Sequence, residues 1–141
     1  MEFLYQAKNF VSYTLQKTKD FPKAWTFSIT NRLHDLAFKI YQYASLGNNI
    51  YPQNLHEVQK RRDCFTTAIG LCGYYSEIID IITETKGYPS DKMFEWNEKI
   101  HHLSSLLRKT KEADKKRYDE IFHCNTVKDY DENTSFGEKE D

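Results

Sequence analysis

The sequence predicts an all-α fold, an antiparallel up-down four-helix bundle, and three observations carry that prediction. Apolar residues recur at three- and four-residue spacing through four long segments. Breakers cluster at three junctions, marked by Pro22, by Gly47 with Pro52, and by Gly87 with Pro89. No strand-like alternation competes, and the short connections favour antiparallel neighbours. The 141 residues are enough for one domain with a real core.

The first helix is expected over Glu2–Lys19, with Phe3, Ala7, Phe10, Val11 and Thr14 on one buried stripe. Pro22 ends it, because proline offers no amide hydrogen to a continuing helix. Phe21, Trp25 and Phe27 crowd around that proline and are expected to cover the end of the bundle. The second helix is expected over Ile29–Leu46 with Ser28 as its cap. Leu33, Leu36, Ile40 and Tyr43 continue its core stripe, and Gly47 is placed to end it in a left-handed conformation.

The third helix is expected over Gln53–Lys86. Val58, Phe65, Ile69, Cys72, Ile79 and Ile82 mark its first apolar face, and Leu71, Tyr74, Ile78 and Ile81 a second. An element apolar on two sides sits centrally or at a subunit interface. Gly70 and Gly73 in its middle suggest close helix approach. The fourth helix starts at Ser90 or Asp91 and buries Met93, Trp96, Ile100, Leu103 and Leu107, running on to about Phe122. The expected domain is therefore 1–122, followed by an acidic, disordered tail over 123–141.

Charge is uneven along the chain. The net charge is −1, but the residues from Asn125 onward hold two lysines and six acids, −4, which leaves +3 for the rest. A mildly basic body allows a polyanionic partner. No apolar run approaches the roughly 20 residues of a membrane span, and the start "MEFLYQAKNF" does not resemble a secretory leader, so a cytoplasmic location is expected. Three cysteines without a CxxC spacing form neither a disulfide framework nor a zinc site. Cys64 and Cys72, two turns apart, are expected to be core filler.

No catalytic constellation is evident, and neither an enzyme activity nor a cofactor is expected. His101 and His102 are adjacent, so their rings diverge on a helix. Glu98 and His101 form one ExxH pair, where a di-metal bundle site needs two. The basic residues are more informative. Lys60, Arg61 and Arg62 open the third helix, and Arg108, Lys111 and Lys115 fall on one face of the fourth. Such ridges neutralise phosphates and release counterions. No platform of exposed aromatics stands beside them, so binding through them is expected to be electrostatic, with little sequence preference.

The stretches "FPKAWTFSITNRLHDLAFKIYQY", "QKRRDCFTTAIGLCGYYSEI" and "WNEKIHHLSSLLR" resemble the accessory variability determinant (Avd) family. These four-helix proteins belong to diversity-generating retroelements and are related to bundle proteins of 23S ribosomal RNA intervening sequences. The resemblance spans about residues 1–112 in helix count, order and junctions. It implies a non-enzymatic accessory protein, assembled as a homopentameric barrel. The partners it implies are a reverse transcriptase and RNA or an RNA–DNA hybrid, in support of mutagenic retrohoming. Carried to this chain, it makes Lys23, Arg32, Arg61 and Arg62 candidate partner or nucleic-acid contacts. Arg32 has a competing structural role, paired with Asp35 or Glu57 where helices or subunits meet. The competing reading of the whole chain is a self-associating structural bundle without a nucleic-acid role.

Overall fold

The computed structural model describes residues 2–87 and 90–132. Its helices are α1 (Glu2–Lys17), α2 (Asn31–Asn48), α3 (Leu55–Lys86) and α4 (Ser90–Glu132), and no strand occurs among the described residues. The contacts run antiparallel. Thr18, just past the end of α1, meets His34 near the start of α2. Gly47 meets Phe65 between α2 and α3. On α3 and α4, Tyr75 pairs with Trp96 and Arg61 with Asp114, so numbers rise along one helix as they fall along the other. Each helix packs most closely on its sequence neighbours, and α1 meets α4 along a looser seam.

Phe10, Leu33, Leu36, Ile40, Phe65, Ile79, Ile100 and Leu103 are all buried as their spacing predicts, while Ile69 is half-buried. A buried polar node lies among them. The Tyr75 hydroxyl accepts from Trp96 Nε1–H at 2.8 Å and shares a hydrogen with Thr14 Oγ1 at 2.7 Å. This node joins α1, α3 and α4, and it satisfies groups that would be costly to bury alone.

The corner after α1 departs from expectation in three places. A short 3₁₀ turn, Thr18–Asp20, closes α1, and a π turn, Thr26–Thr30, runs straight into α2. Ser28 therefore lies inside a turn of helix and caps nothing. Phe21 is buried, with Trp25 edge-on at 5.0 Å. Phe27 does not cover the bundle's end but is 87% exposed. Ile29 takes the core position, and residues two apart on a helix do not face the same way.

Gly47 does not end α2 in a left-handed conformation. It is buried within the helix, and a Cβ placed there would meet the Phe65 ring at 2.8 Å. Its smallness lets α3 approach, and α2 ends instead with the Asn49 amide bonded to Ser45 and Leu46 carbonyls. Asn54 caps the start of α3 in a variant of the capping box, reaching one residue further back. The Glu57 amide donates to Asn54 Oδ1 at 2.9 Å, and the Glu57 carboxylate accepts from the Gln53 amide at 2.7 Å. Gly87 closes α3 at φ 67°, where a side chain would be strained. Pro89, expected at the third junction, lies outside the described residues. So do residues 133–141 of the acidic tail, while α4 runs past Phe122 to Glu132.

On the second apolar face of α3, Ile78 is buried and Leu71 half-buried, but Tyr74 and Ile81 are exposed. A Cβ at Gly70 or Gly73 would meet nothing within 4 Å. Close approach of a helix within the chain does not account for these two glycines.

Candidate nucleic-acid interface

The expected basic residues fall into separate places. Lys23 and Arg32 are exposed at the α1–α2 corner. That corner lies at the opposite end of the bundle from Arg61, a distance of about 22 Å along α2 from Arg32 to Gly47. Arg32 does not pair with Asp35 or Glu57; its Nε–H donates to the Ser28 carbonyl at 3.3 Å. Lys60 is exposed and stands outside the groove that Arg62 enters.

Arg61 is not a surface contact. It is 7% exposed and bound on every side. Its Nε–H donates to Asp114 Oδ2 at 2.5 Å, and a second nitrogen donates to Oδ1 at 3.3 Å. The third nitrogen donates to the Gly47 and Ile50 carbonyls at 3.0 and 3.1 Å. The guanidinium also lies over the Phe65 ring at 5.1 Å. One arginine thus caps the C-terminal end of α2 and ties it to α3 and α4. Four of its five N–H donors are thus engaged inside the fold, and its burial keeps it from serving as a surface phosphate contact.

The remaining four converge. Arg62 on α3 and Arg108, Lys111 and Lys115 on α4 line one groove, with Thr66, Ile69 and Glu112. The groove encloses about 460 Å³. Helical periodicity explains the convergence: Arg62, Thr66 and Ile69 share a face of α3, and Arg108, Glu112 and Lys115 share one of α4. Among the described residues the ion pairs within 4 Å are Arg61–Asp114 and Arg117–Asp114. Among the described residues the four groove cations therefore have no carboxylate within 4 Å, and with Glu112 the lining carries +3.

The groove has two extensions. Toward the α2–α3 turn, Val58 and Asp114 join its wall. In the other direction Arg108 also lines a hollow of about 310 Å³ with Cys72, Gly73, Ile100, His101, Ser104 and Ser105. Burial pushes the Cys72 thiol up to about 12, and the nearby Arg108 charge pulls it the other way. The thiol is therefore an inert wall rather than a nucleophile.

A larger groove of about 630 Å³ follows the α1–α4 seam. It mixes Glu95 and Glu98 with Lys99 and His102, and it contains none of the expected basic residues. Tyr13 lines it with a hydroxyl that is buried and has no hydrogen-bond partner. Burial, and secondarily the Glu95 charge, raises that phenol to about 12. No group of three or more histidine, cysteine or acidic side chains among the described residues could hold a metal ion.

Sequence reasoning missed Thr66, Gly73, His101, Ser104 and Ser105 as parts of the groove. The seven-residue spacing of His101, Arg108 and Lys115 was the available signal. No protein-family model, curated protein or solved structure matches the chain.

Proposed function

We propose that the protein is a non-enzymatic nucleic-acid-binding bundle whose α3–α4 groove holds the phosphate backbone of RNA. One observation carries the reading: four cations from two helices converge on one groove without a carboxylate partner within 4 Å among the described residues. Bringing such charges together costs energy in the free protein, and a polyanion recovers it by releasing counterions. Hydrophobic burial does not explain the cluster, and among the described residues none of the four cations lies within 4 Å of a carboxylate.

The resemblance to retroelement accessory proteins extends the proposal to a cytoplasmic homopentamer working with a reverse transcriptase in mutagenic retrohoming. Exposed Tyr74 and Ile81 on α3 supply an apolar face of the kind self-association uses. The same face favours the second reading, a self-associating structural bundle. The retroelement assignment requires a neighbouring reverse-transcriptase gene with near-identical template and variable repeats.

Filter binding separates the two readings. The full chain, a chain ending before Asn125 and the triple variant Arg108→Glu/Lys111→Glu/Lys115→Glu are compared at low salt. Truncation changes the net charge from −1 to +3 and should strengthen RNA binding. Charge reversal should weaken it while the fold survives. Absence of binding even by the truncated chain assigns the protein to protein partners alone.

A further inference from the structure

The hollow beyond Arg108 differs in chemistry from the basic groove it joins. Its walls hold no lysine or carboxylate, and Arg108 and His101 are the basic side chains among them. Ile100 and Cys72 give it an apolar floor, Ser104 and Ser105 offer hydroxyls, and His101 offers a ring. On the α3 side the wall is Gly73, at which a Cβ would meet no atom within 4 Å. A mid-helix glycine is locally unfavourable, and no packing among the described residues explains this one. One turn further on, Ser76 donates to Asn97 Oδ1 at 3.2 Å and bridges the two helices. The basic groove and the neutral hollow thus meet at Arg108, with the Ser76–Asn97 bridge beyond the neutral end.

Resting on the nucleic-acid reading above, we infer that the groove is a single-strand site, in which successive phosphates lie at Arg62, Arg108, Lys111 and Lys115 and an unpaired nucleobase enters the hollow at Gly73. Packed helix axes stand only about 8–10 Å apart, and the groove between them admits one strand rather than a duplex. From His101 to Lys115 it runs about 21 Å along α4, room for a short run of nucleotides. Unpaired bases are held by stacking on flat side chains, histidine included, and by hydrogen bonds to their exposed edges. His101 and the two serines supply those contacts, and the absent side chain of Gly73 leaves the space. Charge complementarity fixes the direction: phosphates cannot favour the neutral end over four unpaired cations.

The test is fluorescence anisotropy with labelled oligouridylate and with an RNA–DNA hybrid of equal phosphate count, over a salt series. Gly73→Leu fills the notch with a good helix former in open space. Its affinity for oligouridylate should fall about fivefold or more, the loss of one stacked base, with the salt slope unchanged. Arg108→Glu/Lys111→Glu should instead reduce the slope. Wild-type affinity in Gly73→Leu overturns the inference, as does a hybrid bound as tightly as the single strand. A changed mass of Gly73→Leu by light scattering, with RNA affinity intact, gives the notch to a second copy of the chain and also overturns it. If no polynucleotide binds at low salt, the nucleic-acid reading itself fails.

Discussion

Replacing Arg61 by alanine should destabilise the protein more than any other change to its basic residues. The side chains of Arg61 and Asp114 are 9% and 11% exposed, so the substitution leaves an almost buried carboxylate without its hydrogen-bonded partner and with only the exposed Arg117 at 3.9 Å. Breaking a buried pair from one side costs about 3–5 kcal/mol. The Gly47 and Ile50 carbonyls lose their donor, and the Phe65 ring loses the guanidinium over its face. Taking about 4 kcal/mol, and about 2–4 °C per kcal/mol for a chain near this size, the melting temperature should drop by roughly 8–16 °C. Urea unfolding at constant pH measures this directly. Lys60→Ala and Arg62→Ala are the controls and should stay within about 0.5 kcal/mol of wild type. The double variant Arg61→Met/Asp114→Leu should recover most of the loss, since well-packed apolar substitutes for a buried pair are often neutral or better. An Arg61→Ala variant within about 1 kcal/mol of wild type would refute the assignment of Arg61 to the fold.

Gly47→Ala should lose about 1 kcal/mol, because overpacking of about 1–3 kcal/mol against Phe65 outweighs the gain in helix propensity. Gly70→Ala, in open space, should gain about 0.5–1 kcal/mol, and thermal melts of the two compare them. Tyr75→Phe should lose about 1–3 kcal/mol by denaturant unfolding, since Trp96 keeps a buried N–H without an acceptor. Alkali should destabilise the fold. Burial raises Cys72 from 9.0 to about 12 and raises Tyr75 and Tyr13 above 10.0. The unfolded chain then loses these protons first, so stability is full below about pH 9 and falls as pH rises toward 12. A melting temperature unchanged between pH 8 and pH 11 would contradict this.

Helix count, order and most of the core were legible because they depend on periodicity. Leu33, Ile40 and Phe65 announce their burial by spacing alone. The corner was less legible, because a π turn changes which of Phe27 and Ile29 faces inward, and no local residue signals that extra turn. Gly47 reads as a helix stop from its type, but its place is set by Phe65, eighteen residues further along the chain. The same limit governed the basic residues. "KRR" presents three equivalent charges, yet helical rotation sends Lys60 to solvent, Arg61 to Asp114 and Arg62 to the groove. Asp114, fifty-three residues away, decides the role of Arg61, and sequence spacing cannot find it. On α4, by contrast, Arg108, Lys111 and Lys115 depend only on their own helix, and they do share one groove with Arg62.

The most direct measurement of the central claim is the salt dependence of RNA binding. Each neutralised phosphate on a single strand contributes about −0.7 to the slope of log K against log salt. With four groove cations engaged, the full chain should show a slope of about −3, again on that counterion-release relation. The variant Arg108→Glu/Lys111→Glu/Lys115→Glu should flatten it to between about −1 and 0 while its circular dichroism stays helical. A slope unaffected by these three reversals would place the nucleic acid elsewhere on the protein and contradict the account.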